Sequence, residues 1–89
     1  MVLYQGDRKM VKVRFHTILK EESGLNNLEV DAENLSELLS KLPENVMQIL
    51  EKYRNYLIIL VNGHIVDPKH NIVLRREDII DITIPVGGG

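Results

Sequence analysis

The feature that most limits the possible fold is an alternating segment near the end of the chain that is stopped by a proline. Ile80, Ile82 and Ile84 recur at every second position, which predicts a strand over residues 79–84 with one buried face. Pro85 has no backbone N–H and fixes its own φ, so we expect the sheet to end there. The strand must therefore lie in the body of the protein, and the residues after Pro85 are expected to leave it.

The four residues after the proline form a glycine-rich tail, Val86-Gly87-Gly88-Gly89. Because glycine has no Cβ, such a tail can enter a slot too narrow for side chains, and four extended residues reach about 13 Å. The last chemical group is the carboxylate of Gly89, which is the candidate reactive group. A frayed end or an expression linker has the same composition, so the tail alone leaves these interpretations open.

Length and composition indicate a single globular domain without thiol chemistry. The chain has 89 residues, of which 44% are hydrophobic and 27% charged, as in an ordinary small domain. Its net charge of −2 argues against a nucleic-acid partner, and it has no cysteine for a disulfide, a zinc site or a nucleophile. No apolar run reaches the roughly 18 residues of a membrane span, and residues 1–9 lack a signal segment. We therefore expect a cytoplasmic protein that does not bind membranes.

Alternation and turn signals predict a small sheet of short strands. The expected strands cover residues 10–18, 27–31, 57–61, 64–66 and 79–84. The first two are expected to form an antiparallel hairpin with a turn at residues 22–24. In that hairpin Lys12 and Arg14 are expected to face Glu29 and Asp31, an arrangement that modestly stabilises a sheet.

A leucine stripe predicts the helix that covers this sheet. Asn34 and Glu37 have the spacing of a capping box, and the leucines at positions 35, 38, 39 and 42 share one helical face. Pro43 is expected to break the helix near Leu42, before a second piece over residues 44–53. One interrupted helix on one face of a small mixed sheet buries both apolar surfaces, so the predicted class is α+β.

The titratable residues do not form a recognisable catalytic or metal motif. His16, His64 and His70 have no ligand spacing, and the acidic residues of the predicted turns have no nucleophile or phosphate-binding loop beside them. We therefore expect no catalytic residues and no metal site in this chain.

The order of elements, with the segments ILVNGHIV and LRREDIIDITIPVGGG, resembles the ubiquitin-like β-grasp sulfur carriers of the MoaD/ThiS family, and MoaD most of all. The resemblance covers about residues 10–89. It implies a β-grasp domain over residues 10–85, an N-terminal extension over 1–9 and a flexible tail over 86–89. Three positions depart from the family: Glu77 stands where glycine is common, Pro85 is single where paired prolines and aromatic residues are frequent, and Gly87 takes a position where other small residues are common.

The resemblance also implies a function. In this family an adenylating enzyme of the ubiquitin-activating type, MoeB/ThiF-like, uses ATP to activate the terminal carboxylate, which then becomes a sulfur-donating thiocarboxylate. Gly89 would be the modified residue, and Gly88 and Gly87 would enter the partner's active site. The chain itself would bind no cofactor and catalyse nothing. The likeness to MoaD implies molybdopterin synthesis, with a MoaE-like large subunit as second partner.

A carrier also needs a surface that its partners recognise. We expect this surface on the sheet face away from the helix, at Leu60, Ile79, Pro85 and Val86, although the sequence does not fix which alternate residues face outward. Other functions stay open: a carrier for thiamine or tRNA thiolation, a ubiquitin-like modifier conjugated through Gly89, a non-covalent β-grasp binding module, or a small metal-dependent enzyme that uses the histidines.

Overall fold

The computed structural model describes residues 9–85, which form a five-stranded mixed sheet with helices packed on one face. The strands are β1 (Met10–Phe15), β2 (Asn27–Asp31), β3 (Ile58–Val61), β4 (His64–Val66) and β5 (Ile79–Thr83). The helices are α1 (Thr17–Ser23), α2 (Leu35–Ser40) and α3 (Glu44–Lys52), followed by a short 3-10 helix (Arg54–Tyr56). The predicted tail over residues 86–89, and all of the predicted extension except Lys9, lie outside the described residues.

The last strand occupies the centre of the sheet. The strand order is β2-β1-β5-β3-β4, with β5 parallel to β1 and antiparallel to β3. Ile80 and Ile82 are fully buried and Ile84, just past the strand, is 2% exposed. The alternation in the sequence therefore correctly predicted the strand and its buried face.

The core lies between this sheet and the helices. The side chains of Val11, Val13 and Phe15 on β1 pack with Ile59 on β3 and with the buried isoleucines of β5. The helical layer contributes Leu19 from α1, Leu35 and Leu38 from α2, and Val46 and Ile49 from α3. This two-layer arrangement confirms the predicted α+β class with the ubiquitin-like β-grasp topology.

The interrupted helix has the predicted start and break. Asn34 Oδ1 accepts a hydrogen bond of 2.8 Å from the backbone N–H of Glu37, while Glu37 Oε1 accepts one of 2.8 Å from the backbone N–H of Glu33. The Glu37 side chain thus bonds to the residue before the N-cap, whereas in the usual capping box it bonds to the N-cap residue itself. Pro43 separates α2 from α3, and Leu42 between them is buried.

The predicted first strand was too long, because residues 17–23 form helix α1. The change of direction occurs at Thr17, whose φ is 53°, and the helix ends at Gly24 with φ 77°. Helix formation lets Leu19 enter the core, where it is fully buried. β1 and β2 still pair antiparallel, with Lys12 opposite Glu29 as predicted, but Arg14 lies opposite Asn27 and not an acidic residue.

The hairpin between β3 and β4 has the predicted two-residue turn. Asn62 has φ 51° and Gly63 has φ 85°, so both central residues are left-handed, as in the hairpin turn that Asn-Gly favours. In the part of the chain that the structure describes, none of the helices combines the length and the apolar character needed to cross a bilayer.

Candidate functional site

The sheet surface opposite the helices is the candidate partner-binding surface, called here the open face. Ile59 is buried under the helices, so its neighbours on β3 point the other way. The open face is formed by Lys12 and Arg14 on β1, Ile79, Asp81 and Thr83 on β5, Ile58 and Leu60 on β3, and Ile65 on β4. Leu60 and Ile79, both predicted as docking residues, lie on this face.

One row of residues crosses the open face from a charged side to an apolar side. Arg14 is in register with Asp81, Asp81 with Leu60, and Leu60 with Ile65. At the far end of the row Ile65 is 73% exposed, which is high for a large aliphatic residue. The open face therefore offers cationic groups on β1 and apolar groups on β3 and β4.

A charged cluster occupies the charged end of that row, on β1 and β5. Arg14 donates from Nε to Asp81 Oδ1 at 2.6 Å and from Nη2 to Asp81 Oδ2 at 3.1 Å. His16 Nε2 lies 2.8 Å from the same Oδ1. The hydrogen bond from Arg14 lowers the pKa of Asp81, with a smaller contribution from His16, and outweighs the opposing effect of burial. Asp81 therefore remains ionised and holds both neighbouring side chains over β5.

Local sequence patterns do not predict this cluster, because its geometry depends on the parallel pairing of β1 with β5. Asp81 is 9% exposed and is the one buried charged residue within 9–85. An aspartate between Ile80 and Ile82 was a signal that something unusual occupies the outer face of this strand. Its partners Arg14 and His16, however, lie 67 and 65 positions away, and no local pattern indicates their register.

The acidic turn before β5 has a structural role. Asn62 Nδ2 donates to Asp78 Oδ1 at 2.9 Å, and Asn62 Oδ1 accepts from the backbone N–H of Ile79 at 2.9 Å. Asp78 Oδ2 accepts in turn from the backbone N–H of Arg75 at 2.7 Å. These bonds fix the start of β5 against the end of β3, and so fix the register of the central strand.

The end of β5 leads to the candidate reactive segment. Pro85 is exposed directly after buried Ile84, beside the junction of β1 and α1. The predicted docking residue Val86, the tail residues Gly87 and Gly88 and the predicted modified residue Gly89 lie outside the described residues. Within residues 9–85, no group of three or more His, Asp or Glu side chains is arranged to hold a metal ion.

The sheet order, with the last strand central and parallel to the first and helices on one face only, defines a ubiquitin-like β-grasp protein. Residues 13–89 match the ThiS family, and the chain belongs to this family of small ubiquitin-fold sulfur carriers. No curated protein matches the sequence significantly.

Solved structures agree with this assignment. A chain in the protein–protein complex of subunits 1 and 2 of molybdopterin-converting factor from Helicobacter pylori is 30% identical, with a TM-score of 0.66 over 90% of this chain and 99% of that one. The small archaeal modifier protein 1 of Haloferax volcanii has a TM-score of 0.74 at 17% identity, over 90% of this chain and 99% of its own. The small archaeal modifier protein 1 of Methanosarcina acetivorans has a TM-score of 0.63 at 23% identity, over 94% of this chain and 100% of its own. The two archaeal structures share the fold.

Proposed function

We propose that this chain carries sulfur as a thiocarboxylate on Gly89, after a partner enzyme of the ubiquitin-activating type has adenylated that residue with ATP. The observation that carries the proposal is the course of β5. This central strand is held on both sides by β1 and β3, and two residues after its end at Thr83 the sequence continues past Pro85 into a tail of small residues. A rigid body with a thin reactive end is what a carrier requires.

The chemistry explains why the end lacks side chains. A carboxylate is a poor electrophile, so one of its oxygens must attack the α-phosphorus of ATP, with pyrophosphate leaving, before a sulfur nucleophile can replace AMP. The acyl adenylate survives only where water is excluded. Gly87 and Gly88 lack a Cβ and so suit a closed slot that leads to such a site.

The proposed pathway is molybdopterin synthesis, with a MoaE-like large subunit as the second partner. Its support is the 30% identity to a chain of a molybdopterin-converting factor complex. In this proposal both partners bind the open face through Leu60 and Ile79 and continue onto Pro85 and Val86. The apolar side of the face gives affinity by burial, while the cluster around Asp81 selects partners with complementary charge.

Intact-mass analysis tests the proposal. The full chain is incubated with ATP, the adenylating enzyme of its source organism and a sulfur donor. The expected product is heavier by the exchange of one oxygen for sulfur, and fragmentation places the change at Gly89. A variant without Gly88 and Gly89 is the matched control and should keep its mass. An unchanged mass of the full chain would overturn the proposal, and conjugates on lysines would show a protein modifier instead.

A further inference from the structure

The most strained backbone position in the described chain lies next to the base of the tail. Three residues other than glycine have positive φ: Thr17 at 53°, Asn62 at 51° and Glu77 at 69°. Asparagine tolerates this conformation and glutamate is unbranched at Cβ, but a β-branched threonine there is a genuine outlier. Strain of this kind persists only where the surrounding structure holds it in place, and it concentrates at functional positions.

The side chain of Thr17 shows what holds it. Its Oγ1 lies 2.8 Å from the carbonyl oxygen of Ile84, 2.8 Å from the carbonyl oxygen of His16 and 3.3 Å from Oγ1 of Thr83. A hydroxyl has a single proton, so it donates to one carbonyl at a time and can accept from Thr83. The His16 carbonyl already accepts from the backbone N–H of Lys20. Among residues 9–85, the Thr17 hydroxyl is the only donor that reaches the Ile84 carbonyl.

The neighbouring backbone strengthens this junction. The backbone N–H of His16 donates to the carbonyl oxygen of Ile82 at 3.1 Å, so the end of β1 already holds the end of β5. The hydroxyl of Thr17 extends this contact by two residues, past the last ladder pair of β5 with β3 at Thr83. Without it, the carbonyl of the peptide that joins Ile84 to Pro85 would lose its hydrogen bond, and only the buried Ile84 side chain would still hold this point of the chain.

We infer that Thr17 is a positioning residue that sets the direction in which the tail leaves the sheet, an inference that rests on the proposed function of that tail. Proline fixes its own φ and restricts the residue before it to extended conformations. Holding the Ile84 carbonyl therefore fixes the chain direction as far as Pro85. Five residues, Pro85 to Gly89, span about 17 Å when extended, so a turn of about 20° at their base would displace the region that a flexible tail can reach by up to about 6 Å at its end.

Thr17 should affect the delivery of the carboxylate to ATP more than the binding of the carrier to its partner. The side-chain bonds of Thr17 go to the end of β1 and the end of β5, and not to the docking residues Leu60 and Ile79. Changing Thr17 should therefore alter the KM of the carrier for the adenylating enzyme much less than kcat. The fraction of docked carriers whose carboxylate reaches ATP should fall, and kcat should fall with it. A residue that only supported folding would change stability without this division between KM and kcat.

Three substitutions at Thr17 test the inference by adenylation kinetics, measured as release of pyrophosphate. Thr17→Gly removes the hydroxyl and also relieves the left-handed strain, so the chain should fold while kcat falls about tenfold. Thr17→Ala removes the hydroxyl but keeps a Cβ at the left-handed position, so it should lose the same kcat and be less stable than Thr17→Gly. Thr17→Ser keeps the hydroxyl and should restore kcat to within about twofold. Glu77→Gly relieves strain before the start of β5, at the opposite end of the strand from Pro85, and serves as the control, with kcat unchanged.

A second measurement is independent of catalysis. Amide ¹⁵N relaxation should give lower order parameters at Val86 in Thr17→Gly and Thr17→Ala than in the native chain, with Thr17→Ser resembling the native chain. An unchanged kcat together with unchanged order parameters in Thr17→Gly would overturn the inference. If the native chain itself is not adenylated, the proposed function fails, and the relaxation data alone then decide the role of Thr17.

Discussion

The guanidinium of Arg14 and the carboxylate of Asp81 form a two-point pair across the parallel strands β1 and β5, at 2.6 and 3.1 Å, in the centre of the open face. The Asp81 side chain is 13% exposed, whereas that of Arg14 is 51% exposed. The acid is thus enclosed, while its partner presents its remaining N–H groups to solvent or to a bound protein. This pair divides the open face into two parts: the β1 side can make directional polar contacts with a partner, and the β3 and β4 side can bury apolar surface against it.

Replacing Asp81 with Asn should lower the free energy of unfolding by about 1 to 2 kcal/mol at pH 7, because the two hydrogen bonds from Arg14 lose their charged acceptor. The bond from Arg14 holds the folded pKa of Asp81 below its usual value. A depressed pKa means that the stabilisation is complete above the unfolded pKa of about 3.9 and disappears as pH falls through the lower folded pKa. Urea unfolding at pH 7 and at successively lower pH should show the two proteins converging.

Glu29→Gln is the matched control, because it removes one exposed carboxylate from the neighbouring edge strand. Its effect on the free energy of unfolding should stay within about 0.5 kcal/mol at each pH. A difference between Asp81→Asn and the native chain that persists unchanged through acid would contradict the assigned role of the carboxylate.

Leu60 should matter for partner binding more than for folding. Leu60→Ser removes an apolar side chain from the open face without placing a charge beside Asp81, its register partner on β5. The KM for the adenylating enzyme should rise about tenfold or more, as for a central interface residue. Met47→Ser makes a comparable change on helix α3, on the other side of the protein, where Met47 is 38% exposed. Equal effects of both substitutions on KM would rule out the open face as the docking surface.

The fold was predictable wherever the deciding pattern is local. The alternation of Ile80 and Ile82 predicted β5, and Asn34 with Pro43 predicted the start and the break of the helical segment. Helix α1 was missed because it has only seven residues, no side-chain cap and a β-branched residue at its first position. Its formation depends on burying Leu19 beneath α3, which no pattern in residues 17–23 reveals.

The candidate site was predictable only in part, for a related reason. Leu60 and Ile79 were chosen as docking residues from their places on predicted strands. The sheet face that they occupy became clear only from the structure, where the helices cover their neighbours Ile59 and Ile80. The contacts of Thr17 with Ile84 and of Arg14 with Asp81 each join residues 67 positions apart. Such contacts are set by strand order and register, and those are properties of the assembled sheet.

The side chain of Asn62 should be required for the stability of the β3–β5 junction. Asn62→Gly keeps the left-handed turn but loses the bonds to Asp78 and to the Ile79 backbone, which should cost about 1 to 2 kcal/mol of unfolding free energy. Asn62→Asp keeps the acceptor for Ile79 but places a second carboxylate against Asp78, so it should cost more at pH 7 than at pH 3. Thermal melts of both variants at the two pH values check this, and equal stability of Asn62→Gly and the native chain would contradict it.

Glu77 should be a position where the native residue is not the most stable one. Its φ of 69° costs an L-residue about 1 to 2 kcal/mol relative to glycine. About 0.5 to 1 kcal/mol of that gain is lost, because glycine makes the unfolded chain more flexible. Glu77→Gly should therefore raise the free energy of unfolding by about 0.5 to 1 kcal/mol, while the backbone bond from Glu77 N–H to the Met10 carbonyl is kept. Glu77→Ala keeps the Cβ and should show no gain in urea unfolding. If the alanine variant were as stable as the glycine variant, the gain would come from losing the exposed carboxylate and not from the backbone.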